Sequence, residues 1–126
     1  MFKRIIVLTS LLISLLTATC FAANVQWVHS TDTIRYSVDA DSISYPSDHE
    51  LQVIVIMQRP SDNTILIALT YINMYTHTYQ IMPGLFVDSN GERHSTPKSE
   101  VKEYEPGSPI EHIINYCNQA KKGART

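Results

Sequence analysis

Two long runs near the middle of the chain decide most of what it can become. Leu51 to Arg59 and Thr64 to Tyr75 are rich in aliphatic and β-branched residues, and Pro60-Ser61-Asp62-Asn63 between them consists of turn formers. They read as one antiparallel hairpin. Side chains alternate faces along a strand, so Leu51, Val53, Val55 and Met57 point one way and Ile54 and Ile56 the other. The second run repeats this, with Leu66, Ala68, Ile72 and Met74 opposite Ile65, Ile67, Leu69 and Tyr71. A sheet with one wet face alternates apolar with polar; here both faces are apolar, so each needs a cover.

One cover is written into the C-terminal segment. Ser108-Pro109-Ile110-Glu111 is a capping box with Pro at the first helical position: the Ser108 hydroxyl accepts from the third N–H, and Glu111 is expected to reach back to the Ser108 amide. Ile110, Ile113, Ile114, Cys117 and Ala120 then form one apolar stripe, with Glu111, Asn115, Asn118 and Gln119 expected to face water. Lys121 and Lys122 complement the C-terminal dipole, and Gly123 is the expected stop.

The remaining segments predict further strands. Val25 to His29 and Thr33 to Val38 suit an outer pair, Asp39-Ala40-Asp41-Ser42 breaks the pattern, and Tyr45-Pro46-Ser47-Asp48 reads as a loop. Thr78 to Val87 is a strand interrupted at Met82-Pro83-Gly84, where Pro lacks a ladder donor and Gly permits a bulge. Asp88-Ser89-Asn90-Gly91 is a hairpin turn, Glu92 to Ser95 the return strand, and Val101 to Tyr104 its continuation past Thr96-Pro97-Lys98. The fold class that follows is α+β: an antiparallel sheet of five or six strands with one C-terminal amphipathic helix packed on one face. With 126 residues, 44% hydrophobic, 4 Gly and 6 Pro, the chain has material for a single small domain, residues 23–126, and no linker or repeat.

Residues 1–22 read as an export signal. Lys3 and Arg4 precede an apolar stretch from Ile5 to Leu16, and Cys20-Phe21-Ala22 offers small residues for cleavage after Ala22. Two rival readings are a retained anchor from Ile5 to Ala23 and lipidation at Cys20, which has Thr17 where a lipoprotein signal wants Leu. Cleavage would remove Lys3 and Arg4 and move the formal charge from −2 to −4. Nucleic acid is not an expected partner, since no basic block interleaves with aromatics. Cys117 would be the only Cys left, with no internal disulfide.

Trp27, the stretch Tyr36-Ser37-Val38-Asp39-Ala40-Asp41-Ser42-Ile43, the double hydrophobic strand, Asp88-Ser89-Asn90-Gly91, and Pro106-Gly107-Ser108 leading through Glu111 to Cys117 together resemble the surface-adhesin protein E family. The likeness spans essentially the whole chain after the signal. It implies a small exported bacterial envelope protein, an antiparallel sheet with a C-terminal helix laid on it, and host-protein binding. The family usually pairs its helix Cys with a Cys in the central strands; this chain has Met74 near that place.

Chemical motifs are sparse. There is no nucleophile elbow, P-loop, dinucleotide turn or paired-Cys site, and His29, His49, His77, His94 and His112 match no metal spacing. Asp48-His49-Glu50 reads as solvated loop charge and Asp39-Ala40-Asp41 as a turn; neither a metal, a cofactor nor a catalytic residue is expected. Cys117 on the apolar stripe reads as a buried small hydrophobe. Tyr71 to Tyr79 holds three tyrosines, suited to a surface role. The expected function is a non-enzymatic binding or adhesion-type module of the cell envelope, at the periplasm or cell surface, with an unidentified protein partner. The alternative is a small periplasmic enzyme or accessory subunit. One helix spans too little to cover a two-faced sheet, which predicts a two-fold homodimer through the opposite face; the competing cover is the Tyr45 to Glu50 loop with the segment around Trp27.

Overall fold

The computed structural model describes residues 24–125, and these described residues form nine strand segments in one antiparallel sheet and a single α-helix. The signal, anchor and lipidation expectations for residues 1–23 lie outside the described residues. No described helix is long and apolar enough to cross a membrane.

The centre is the expected hairpin. β4 (Glu50–Arg59) and β5 (Thr64–Asn73) pair without interruption over ten positions, from Glu50 opposite Asn73 to Arg59 opposite Thr64. At the turn Asn63 takes φ 59°, and the Asp62 carboxylate accepts from the Thr64 amide and hydroxyl and from Arg59 Nε, a short-range frame that fixes the register. β5 stops at Asn73, so Tyr75 lies in a turn rather than in the strand expected to reach it.

Each flank of this hairpin carries one strand path broken once. On the β4 side, β2 (Arg35–Asp39) pairs along its second half and β3 (Ser44–Ser47) along its first, separated by a 3-10 turn at Ala40–Ser42. Ser42 bridges the gap: its hydroxyl accepts from the Ile54 amide at 2.8 Å and donates to the Asp39 carbonyl at 2.7 Å. β3 corrects the loop expected over Tyr45-Pro46-Ser47-Asp48. Pro46 is tolerated because it sits at an edge, flanked by the pairs Ser44 with Gln52 and Ser47 with Glu50, where no ladder donor is needed.

On the β5 side, β6 (Thr78–Ile81) and β7 (Gly84–Val87) share β5 between them, offset at Met82-Pro83 as the sequence predicts. β8 (Arg93–Thr96) returns along β7 and β9 (Lys102–Glu103) along β6, so the segment after Thr96-Pro97-Lys98 does continue the return strand. β1 (Val25–Ser30) closes the far edge against β2. Nine segments therefore make six strand paths.

The helix α1 (Pro109–Arg125) lies on one face. Ile113, Ile114 and Cys117 meet Val38, Leu51, Val53, Val55 and Ile72 in the core, and Cys117, Ile113, Leu51 and Val53 are all 0% exposed. Three local expectations change. Glu111 Oε1 accepts from the Gly107 amide at 2.6 Å instead of the Ser108 amide, because Gly107 at φ 82° turns its N–H toward the helix, while Ser108 N–H goes to the Glu105 carbonyl. Asn118 is not left to water: Tyr45 Oη donates to its Oδ1 at 2.7 Å, tying β3 to the helix. The helix also runs through Gly123 to Arg125, since one glycine near a helix end costs only about 1 kcal/mol.

Candidate binding sites

The two faces of the sheet are unequal. By register, Gln52, Ile54, Ile56 and Gln58 of β4 share the face away from α1 with Ile65, Ile67, Leu69 and Tyr71 of β5, and with Leu85 and Val87 of β7. None of these reaches the burial of the helix side; all are half-buried except Tyr71, which is exposed. Val25 and Trp27 fall on the same face at the β1 edge, and Val101 joins Gln52, Tyr71 and Gln80 in a groove at its far end. Four of the five large apolar side chains left exposed among the described residues are thus gathered here; the fifth, Tyr75, is in a turn.

Neither cover considered for this face closes over it: Trp27 stands at its β1 edge, and Pro46 and Glu50 line only the groove at its far end. Tyr45 turns to the helix side to bond Asn118, with Lys121 Nζ 4.0 Å above its ring, and Trp27 is 60% exposed with its indole N–H on Ser30 Oγ. Polar groups bound the patch at its ends: Arg35 registers beside Gln58 at the C-terminal end of β4, Arg93 falls in the same row on β8, opposite Val87, and Glu50 marks the N-terminal end of β4.

On the other face, a cavity of about 350 Å³ opens between the first turn of α1 and the sheet. Its floor is Val55, Met57, Ile81, Ile110 and Ile113, and Tyr36, Tyr79 and Tyr104 stand in its wall. The Tyr36 phenol is held above its ordinary pKa by burial and by neighbouring Tyr79, and the Tyr104 phenol by burial and by Glu111. Both stay protonated donors at neutral pH. Sequence spacing gave no sign of this group, because its tyrosines come from β2, from β6 and from the connection between β9 and the helix. The tyrosines from 71 to 79 do not form one surface: Tyr71 lies on the open face, Tyr75 in a turn and Tyr79 in the cavity wall.

The histidines scatter. His29 stacks on His112 with centroids 4.0 Å apart and planes 7° apart, joining β1 to the helix. His49 contacts Tyr75, and its Nδ1 is 3.4 Å from Ser47 Oγ; Asp48 and His49 form the turn and Glu50 already begins β4. Asp88, Glu92 and His94 bring potential ligand atoms within 4.8 Å of one another on the β7–β8 hairpin. The Asp88 carboxylate is already occupied, accepting from the Asn90 and Glu92 amides and lying 2.8 Å from His94 Nε2; the His94 bond is the main reason its pKa is lowered. Asp39 likewise accepts from the Asp41 amide, the turn role its sequence predicts.

Among the described residues, Cys117 is the one thiol, and it is fully buried. Burial pushes its thiol up to about 12, and burial, then Cys117, pushes the Tyr45 phenol to about 12. Each keeps its proton in the fold at a pH where the unfolded chain has lost it, so stability is full below the unfolded pKa and falls as pH rises toward the folded one. For Cys117 alone the loss approaches about 4 kcal/mol by pH 12. Urea unfolding at about pH 8 and pH 10 should show the decline begin, and Cys117→Ala should lessen it. The native thiol should also resist alkylation until the chain unfolds; rapid labelling of the folded protein would contradict its burial.

Comparison with family models, with characterised proteins and with solved structures finds no match to this chain.

Proposed function

We propose that the chain is an exported, non-enzymatic binding module of the bacterial cell envelope that acts as a two-fold homodimer, its open sheet face seated on that of a second copy. The observation that carries this is the open face itself. Patches larger than a few hundred Å² seldom stay exposed on soluble monomers. This one runs roughly 25 Å along the strands and about 20 Å across them, a footprint of about 500 Å², smaller than the ~800 Å² that each partner of a standard interface buries but enough for a weak one.

Charge placement favours a second copy. A two-fold axis between the faces and perpendicular to the strands sets the strands of the two copies in opposite directions. The Arg35 end of one then lies over the Glu50 end of the other, with Ile54, Ile56, Ile67 and Leu69 meeting at the centre. Export rests on the Lys3-Arg4 start and apolar run of residues 5–16, and the adhesion-type role on likeness to the surface-adhesin protein E family.

Light scattering on residues 23–126 at micromolar concentration should give twice the chain mass. Ile56→Lys buries an ammonium twice in a two-fold interface, so dissociation should become easier by on the order of 100-fold while the helix signal in circular dichroism is unchanged. Arg35→Glu should weaken the dimer, and Arg35→Glu with Glu50→Arg should recover part of the loss. A parent protein that stays monomeric throughout the micromolar range sinks the proposal.

A further inference from the structure

We infer that the cavity under the first turn of α1 is a binding site for a small uncharged molecule with a compact apolar or aromatic body and one hydrogen-bonding group directed at Thr70. Thr70 is the residue out of place. The helix-facing positions of β5 run Leu66, Ala68, Thr70, Ile72, and Thr70 is 2% exposed at a point where the pattern asks for an aliphatic side chain. Its hydroxyl has only a 3.5 Å contact with the Ala68 carbonyl, at the outer limit of a hydrogen bond, and it lines the cavity. A hydroxyl kept in a core with so poor a partner costs stability that valine would not. A molecule in the cavity that bonds to it supplies the missing partner.

The surroundings restrict the class of molecule. A cavity of about 350 Å³ is at the small end for ligand sites. Its apolar floor takes a hydrocarbon body, and the rings of Tyr36, Tyr79 and Tyr104 give flat walls. An anionic head has no support: no Lys, Arg or His is among the lining residues, whereas Glu103 and Glu105 are. The helix start offers little to an anion either, since Pro109 has no N–H and the Glu111 amide points to Ser108 Oγ at 3.4 Å. A cationic head fails for another reason: at the depth of Thr70 it would be cut off from water with no carboxylate at that depth, because Glu103 and Glu105 are exposed. The site lies on the opposite face from the proposed dimer contact and stands independently of it.

Benzyl alcohol, benzylammonium and benzoate test this as probes of one shape and three charges, followed by amide shifts in two-dimensional NMR. Benzyl alcohol should give saturable shifts centred on Thr70, Ile81 and Ile113, and the two ions should bind clearly more weakly. Thr70→Val should raise the melting temperature of the unliganded protein and weaken benzyl alcohol about two- to ten-fold, the worth of one hydrogen bond; Thr70→Ser, which keeps the hydroxyl, should hold the affinity. The inference is overturned by absence of saturable shifts at those residues, by equal binding of either ion, or by a Thr70→Val protein that is less stable and binds as before.

Discussion

Gly84→Ala should lower stability by up to about 3 kcal/mol, although the same exchange at a compatible position would stabilise a protein by about 0.4–1 kcal/mol. A methyl group at Gly84 would stand 2.4 Å from the Ile67 carbonyl oxygen and 2.7 Å from Ala68 Cβ. Neither neighbour can swing away, because one is backbone of the central strand β5 and the other is the first carbon of a buried side chain. Relief requires β7 to move off β5. That movement would break the pairing of Leu85 with Ile67 and of Phe86 with Leu66, and would disturb the Gly84 N–H bond to Thr96 Oγ1. Overpacking of this kind typically costs about 1–3 kcal/mol, and with backbone as the obstacle the upper end is expected. Urea unfolding measures it; a midpoint equal to that of the parent would mean the close approach is not present in solution.

Ile113→Ala should lower stability by about 2–5 kcal/mol, a large share of the roughly 5–15 kcal/mol that holds a domain of this size. Ile113 is 0% exposed and belongs to the core with Val38, Val53, Val55 and Ile72, so truncation leaves a void that the sheet is too rigid to fill. It also borders the tyrosine-walled cavity, and the new void would merge with that space. Asn115→Ala, on the exposed side of the same helix, should change stability by less than about 0.5 kcal/mol. Similar losses for both variants would mean that the helix is not anchored through its apolar stripe.

Much of the architecture was readable because it rests on local periodicity. The two-faced hairpin, the stripe from Ile110 to Cys117 and the break at Met82-Pro83-Gly84 each follow from which side chains fall on which side of a regular element. The misses share a different origin. Pro46 argues for a loop in every local scheme, and only its position at a sheet edge, a tertiary fact, allows β3. Asn118 reads as a solvent residue until Tyr45 arrives from 73 positions away. The cavity was invisible for the same reason: Tyr36, Tyr79 and Tyr104 have no spacing that marks them as neighbours, and Thr70 differs from the valine the pattern wants by a single atom type. The open face was legible as a surplus of apolar residues, whereas the arrangement of Arg35, Arg93 and Glu50 around it needed the register.

The ten-pair ladder between β4 and β5 has no counterpart elsewhere in the sheet, where each flanking path is cut into pieces that hold four registered pairs or fewer against it. Such a sheet opens by quarters. A piece such as β3 or β7 can release its few bonds while the hairpin and the remaining pieces stay intact, so amide protons there should exchange through small local openings. Those along the shared seam of Val53 to Met57 and Leu66 to Thr70 should wait for global unfolding. The breaks at Ser42 and Met82-Pro83 thus act as firebreaks, confining a disturbance at one corner of the sheet to that corner.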